Sequence, residues 1–282
     1  MHEILDTLAY YFTFPFVRNA LIVGILVSLC AALLGVVLVL RRLSFIGDGL
    51  SHVAFGAMAA ATVMGLSNNM LLILPVTIVC SIVLIQRQRG HMVQGDAKIA
   101  MLSVGSLAAG YILFNRFPPK GGNVSGDVCT TLFGSTSILT LSQNEVWLSL
   151  VLSIAVCLIY IVFYNIIFSL TFDEEFAASQ GINTKIYNVF IATIIATVIA
   201  LAMNLVGSLL ISALLVFPVV SAMRVCKSFR GVVIFSAAFS AVCAAGGIII
   251  SILLGTPVGA TIVASDAIGF ALFSLIGKLK GI

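Results

Sequence analysis

Between Arg41-Arg42 and Ala60 the chain reads Leu43-Ser44-Phe45-Ile46-Gly47-Asp48-Gly49-Leu50-Ser51-His52-Val53-Ala54, an acid and a histidine one helical turn apart in an apolar stretch. Residues at that spacing share a helix face, so both side chains can meet one ion. An ionisable group in a bilayer costs from about 2.5 to more than 10 kcal/mol, so such a pair is retained for a purpose. A neutral imidazole with a carboxylate suits Zn²⁺, Mn²⁺ or Fe²⁺, and the lack of nearby thiolate or thioether ligands argues against Cu⁺. The competing reading is structural, with Asp48 capping the helix start and His52 hydrogen-bonded to a neighbouring helix. For a helix starting near Leu43, Asp48 lies about 9 Å and His52 about 15 Å past the basic pair, which sets His52 near mid-membrane.

A second acid, Asp266, lies about 13 Å beyond Pro257 along the last apolar run, again near its middle. It can complete a cation site, carry a proton, or hydrogen-bond with Ser265, Ser274 or a neighbouring helix, and the residues alone leave these open. The stretch Thr171-Phe172-Asp173-Glu174-Glu175-Phe176-Ala177-Ala178-Ser179-Gln180-Gly181-Ile182 predicts a short helix stopped by Gly181. Asp173, Glu174 and Glu175 suit its positive N-terminal end, and Ala177 and Ala178 leave a small-residue face on which a partner can dock. A capped surface helix with no partner fits the same residues.

The scaffold for these groups is a membrane bundle. The 282 residues are 61% hydrophobic and 9% charged, against roughly 25% charged in a soluble domain. Val53 to Ile85 as one helix would reach about 50 Å and Ile186 to Met223 about 57 Å, well beyond a hydrocarbon core of about 30 Å. Each must fold back, the first near Gly65 to Asn69 and the second near Asn204 to Gly207, and the C-terminal run must do so near Gly255-Thr256-Pro257. The expectation is an all-α polytopic transmembrane helical bundle, a single domain over residues 1–282 with eight or nine spans. The count turns on whether Asn204 to Met223 is a full crossing or a shorter, broken segment. Met1 to Phe16 carries Glu3 and Asp6 without a basic start and does not read as a cleaved signal peptide.

Alternating connections place Arg41, Arg42, Arg87, Arg89, Lys98, Lys185, Arg224, Lys227, Arg230, Lys278 and Lys280 on one side, leaving Arg18, Arg116 and Lys120 on the other. The basic side is cytoplasmic, and the formal charge of +4 reports orientation rather than nucleic-acid binding. Cys30, Cys80, Cys129, Cys157, Cys226 and Cys243 show no paired metal or redox spacing and read as small buried hydrophobes. Asn123-Val124-Ser125 fits a glycosylation sequon on the outer side. Gly105, Ala108, Ala109 and Gly110, and likewise Gly246 and Gly247, allow close helix packing. No phosphate-binding Gly-x-x-x-x-Gly-Lys-Ser/Thr loop and no His-Glu-x-x-His pair occur, so any ATP chemistry must come from another subunit and no catalytic set is visible.

Arg41 to His52 is similar to the Arg-Arg-Met-Ser-x-x-Gly-Asp-x-x-Ser/Ala-His signature of the integral-membrane permeases of zinc and manganese ABC uptake systems. Leu132-Phe133-Gly134-Ser135, the Phe172 to Ile182 loop, and Val206 to Ile211 followed by Leu214 to Pro218 resemble further stretches of that family in the expected order. The resemblance implies a type II ABC-importer-like permease in the bacterial cell membrane, acting as a dimer of identical membrane subunits. It implies two cytoplasmic ABC ATPases docked on a coupling helix at Asp173 to Gly181, with Asp173, Glu174, Glu175, Ala177, Ala178 and Gly181 as coupling residues. An extracytoplasmic metal-binding protein hands over the ion. Asp48 and His52 become the metal residues, Zn²⁺ or Mn²⁺ the transported ion rather than a permanently bound cofactor, and lipid the surrounding medium. Asp266 has no counterpart in the resemblance. The alternative function is a proton-coupled secondary transporter or facilitator of divalent cations that uses Asp266 and works without ATPases.

Overall fold

The protein is described by a computed structural model covering residues 10–66, 68–86, 95–117 and 143–279. Cys129, the Asn123 sequon and the Leu132 to Ser135 stretch lie outside the described residues. Eleven helices and no strand occur among those described: α1 (Pro15–Leu40), α2 (Ile46–Val63), α3 (Met70–Gln86), α4 (Gly95–Arg116), α5 (Gln143–Val162), α6 (Tyr164–Phe172), α7 (Glu174–Ser179), α8 (Thr184–Val206), α9 (Ser208–Met223), α10 (Phe229–Leu254) and α11 (Val258–Leu279). Six of them, α1, α4, α5, α8, α10 and α11, are long and apolar enough to cross a membrane, while α3 and α9 are shorter apolar helices. The 18-residue α2, which carries Asp48 and His52, falls outside both groups, so six to eight apolar helices stand as candidate crossings among the described residues.

Each long apolar run folds back where helix-breaking chemistry pointed. Gly65 and Gly255 adopt left-handed φ values of 67° and 65°, ending α2 and α10. The break between α8 and α9 is a single residue, Gly207, at φ 91° and ψ 156°, a region open essentially to glycine alone. The stop after α1 is built differently. Arg42 N–H bonds the Val39 carbonyl at 3.0 Å and Leu43 N–H bonds Leu38 at 2.7 Å, the paired bonds of a Schellman end, with Arg42 itself at φ 60° where glycine is usual.

Helices pack closely wherever glycine removes a side chain. A Cβ at Gly56 of α2 would sit 2.8 Å from the Ser106 carbonyl of α4, and one at Gly110 would sit 2.8 Å from the Phe55 ring. The α2–α4 contact is the most extensive in the bundle. Gly105 and Gly246, expected in the same role, meet nothing within 4 Å, because they lie away from the packed seams. Buried polar atoms supplement this packing: Ser81 Oγ donates to the Ala192 carbonyl at 2.9 Å, joining α3 to α8, and Ser240 Oγ donates to the Ser28 carbonyl at 3.0 Å, joining α10 to α1. Such interhelical bonds contribute about 0.6 to 2 kcal/mol each. The described cysteines are unpaired.

Contacts place the basic connections at one end. Arg41 meets Glu174 and Asn188, Phe229 packs on Phe168 and Phe172, and Gly277 lies against the Arg224 backbone. The α1–α2, α6–α8 and α9–α10 connections therefore share an end with the C-terminus of α11, the cytoplasmic end by charge.

Candidate functional site

The α1 stop fixes where Asp48 and His52 fall. Residues 41–45 are consumed by the turn, so α2 begins at Ile46 rather than near Leu43. Asp48 consequently sits in the first helical turn, about 3 Å along the axis from Ile46, and His52 about 9 Å along it. Both are shallower than a start at Leu43 predicts, although His52 remains near the middle of α2. The spacing does what a one-turn separation predicts: His52 Nε2 lies 3.5 Å from Asp48 Oδ1.

Two hydroxyls complete the surroundings. Ser103 Oγ of α4 lies 3.4 Å from Asp48 Oδ2 and Ser212 Oγ of α9 lies 3.4 Å from Asp48 Oδ1, both long for hydrogen bonds. Gly47 admits Leu215 of α9 against α2, and this close approach brings Ser212 to the carboxylate. The helix N-cap is Phe45, with no side-chain cap bond, and His52 Nδ1 is buried with no partner among the described residues. The Asp48 side chain is 41% exposed and that of His52 13%. Ligand atoms about 2.0–2.2 Å from one ion stand roughly 3 to 3.5 Å apart, so the observed gap has the width an ion shared by the two groups requires. Among the described residues no third His, Cys, Asp or Glu joins them.

Asp266 is therefore not brought to this pair. It is fully buried in α11 with the Cys243 thiol of α10 facing it, its oxygens make no well-formed hydrogen bond among the described residues, and neither Ser265 nor Ser274 bonds it. Ser265 instead back-bonds to Thr261 in its own helix.

At the cytoplasmic end, Asp173 caps α7 by accepting from Phe176 N–H at 2.9 Å, and Gly181, at φ 85°, stops it. Glu174 turns back toward the bundle. Its Oε2 lies 3.8 Å from Arg41 Nη2, and Asn188 of α8 bridges the two, accepting from Arg41 at 2.9 Å and donating to Glu174 at 3.1 Å. Burial lowers the Arg41 guanidinium from its ordinary value, Glu174 opposes that shift, and the group stays charged at neutral pH. The small-residue face expected on α7 is only half available. Ala177 is wholly buried against the protein itself, whereas Glu175, Ala178 and the 55%-exposed Phe176 point outward. The turn of a six-residue helix onto α6 and α8, rather than composition, decides which alanine is covered.

The family profile described as the ABC 3 transport family matches residues 13–277. The chain belongs to that family. It is accordingly a permease subunit of an ABC transporter, multi-pass in the cell membrane, and not an enzyme. Among similar proteins are the manganese import system permease ScaB of Streptococcus gordonii, 27% identical with 91% of this chain and 90% of the relative covered. The manganese transport system membrane protein MntC of Halalkalibacterium halodurans is 24% identical, covering 99% and 94%. Among solved structures, PsaBC from Streptococcus pneumoniae in complex with Fab matches with a TM-score of 0.82 at 26% identity over 99% of both chains. The resemblance carried by Arg41 to His52 holds at the level of the family.

Within this permease, Ser103, Ser212, Asn188 and Phe176 were not singled out by sequence reasoning. Serines in apolar helices usually bond their own preceding turn, as Ser221 does to Phe217 and as Ser212 itself does to the Ser208 carbonyl at 3.3 Å, so nothing in the sequence marks the two that lie beside Asp48.

Proposed function

We propose that the chain is the membrane-spanning subunit of an ATP-driven importer of a divalent transition metal, with Asp48 and His52 as its ligands for the ion in transit. The observation that carries this reading is the 3.5 Å separation of His52 Nε2 from Asp48 Oδ1, with Ser103 and Ser212 hydroxyls beside the carboxylate. A carboxylate, an imidazole and hydroxyl oxygens form an oxygen-rich set that suits Mn²⁺ first and Zn²⁺ second. The relatives named for manganese support the same order.

Two protein ligands hold a metal loosely. A second copy of the chain across a central pathway doubles the set to two carboxylates and two imidazoles, and the exposed part of Asp48 suits a surface that such a copy covers. Loose holding by one copy and fuller holding by two is useful in a carrier, which must release its ion. ATPases docked on the Glu175, Phe176 and Ala178 face of α7 act through Glu174 and Arg41 on the turn that begins α2, so closure of the ATPases moves the helix that bears the ligands. ATP supplies the free-energy difference between outward- and inward-open states. An extracytoplasmic binding protein delivers the ion at the opposite end.

The test is metal-stimulated ATPase activity and uptake in proteoliposomes holding the permease with its ATPase. Stimulation by Mn²⁺ ahead of Zn²⁺, lost in Asp48→Ala and His52→Ala, is the expected outcome. Uptake that continues without any ATPase would overturn the ATP-driven reading.

A further inference from the structure

One cavity shares no lining residue with the Asp48 site. It is a groove of about 630 Å³ between α1, the α5–α6 pair and α10, within the range of about 300 to 1,000 Å³ typical of small-molecule sites. Its walls are unequal in kind. Leu33, Cys157 and Ala237 make an apolar interior, while Tyr164, Asn165 and Arg230 stand together at one end.

That polar end has a definite level. Arg230 lies in the first turn of α10, directly after the basic α9–α10 connection, and its neighbour Phe229 packs on Phe168 and Phe172, just before α7. The mouth is therefore at the cytoplasmic interface, and Tyr164 beside it is of a residue type that favours headgroup depth. Ala237 lies seven residues further along α10, about 10 Å deeper into the bilayer. The Arg230 guanidinium is exposed and sits over the Tyr164 ring at 5.5 Å, and among the described residues it meets no carboxylate. An uncompensated cation above an apolar slot is complementary to one kind of molecule: an amphiphile with an anionic head and a hydrocarbon tail.

We propose that this groove is a binding site for one anionic phospholipid of the cytoplasmic leaflet, its phosphate on Arg230 and Asn165 and an acyl chain laid along Leu33, Cys157 and Ala237. Basic pockets between membrane helices on the cytoplasmic side recognise such headgroups by charge, and the apolar slot fixes the chain. The site differs from the general lipid coat in holding a single molecule by both ends. It wedges against α6, which continues into α7 through Asp173.

The test is native mass spectrometry of the full-length protein, delipidated in detergent and then exposed to mixed phosphatidylcholine and phosphatidylglycerol. One phosphatidylglycerol retained per chain in preference to phosphatidylcholine is the expected result. Arg230→Gln should lower that retention about five-fold and Arg230→Lys should largely restore it. Ala237→Phe should block the slot and expel the lipid; should that variant not fold, the two substitutions at the exposed Arg230 decide. Equal retention of both lipids, wild-type retention by Arg230→Gln, or displacement by millimolar inorganic phosphate, which would mark a simple anion site, each overturns the proposal. Lipid lost whenever two copies associate would assign the groove to the second copy instead.

Discussion

Glu174 Oε2 lies 3.8 Å from Arg41 Nη2, and this contact joins a six-residue cytoplasmic helix to the turn from which the helix carrying Asp48 and His52 springs. Arg41 caps the C-terminus of α1 and its chain neighbour Arg42 holds the left-handed position that aims α2, so a pull on α7 is transmitted over very few bonds. Glu174→Ala leaves a mostly buried guanidinium with Asn188 alone and should cost about 1 to 3 kcal/mol. The reconstituted complex should then keep hydrolysing ATP while uptake per ATP falls. An unchanged ratio of uptake to hydrolysis would show that the contact serves stability alone.

The two alanines of α7 should behave oppositely. Ala177 is covered on all sides, and enlarging it to leucine overpacks the seam at about 1 to 3 kcal/mol, visible as a lower melting temperature of the isolated permease. Ala178 points outward, so Ala178→Trp should leave melting unchanged and weaken copurification of the ATPase. Phe176→Ala should weaken copurification too, since it removes the largest apolar group on that face. Retention of the ATPase by both outward variants would move the docking surface away from α7.

The sequence made the fold-backs legible because a bilayer limits helix length: runs of 33 and 38 residues must turn, and Gly65 and Gly207 were the places where they could. The Asp48–His52 proximity was legible for a similar reason, since it depends only on helix geometry. The helix start was less so. Arg42 takes a conformation that glycine normally fills, and a sequence reading has no cause to end a turn there. The covering of Ala177, the reach of Ser103 and Ser212 to Asp48, and the Arg41–Asn188–Glu174 triad depend on which distant helices meet, information that local pattern does not carry. The isolation of Asp266 belongs to the same class.

Gly207 should tolerate no side chain. Its φ of 91° with ψ of 156° is the only break between α8 and α9, so Gly207→Ala places a Cβ in a conformation that costs about 1 to 3 kcal/mol. Relief of that strain rotates α9, which carries Ser212 away from Asp48. The expected outcome is a lower melting temperature together with weaker metal dependence of ATPase activity, and a variant with wild-type values of both would show that the break is not strained.

Asp266 is fully buried with only the Cys243 thiol facing it and no well-formed hydrogen bond among the described residues, a state that adds little stability by itself. Asp266→Asn removes the ionisable group at constant shape, and the folded yield should match or exceed wild type. Because the carboxyl lies apart from Asp48 and His52, uptake by this variant should persist and follow the wild-type profile as external pH is varied. Abolished uptake in a well-folded Asp266→Asn protein would revive a proton-coupled mechanism and count against the ATP-driven one.

The strictest test falls on Asp48 and His52 together. Each is an ionisable group in an apolar helix, so alanine at either position should preserve or raise the yield of folded permease while metal uptake falls to background. A purely structural pair would show the opposite, lost yield with residual transport. Asp48→Asn is informative beside alanine, since it keeps an oxygen ligand and loses the charge, and a partial loss of affinity is expected. Acidification gives an independent readout. A protonated imidazole has no lone pair to donate and would instead pair with Asp48 across the same 3.5 Å, so uptake should weaken as protons compete for His52. Excess metal should restore uptake at the lower pH by mass action. Loss of uptake on acidification that metal cannot rescue, or uptake at wild-type rates by the double alanine variant, would remove these residues from the path of the ion.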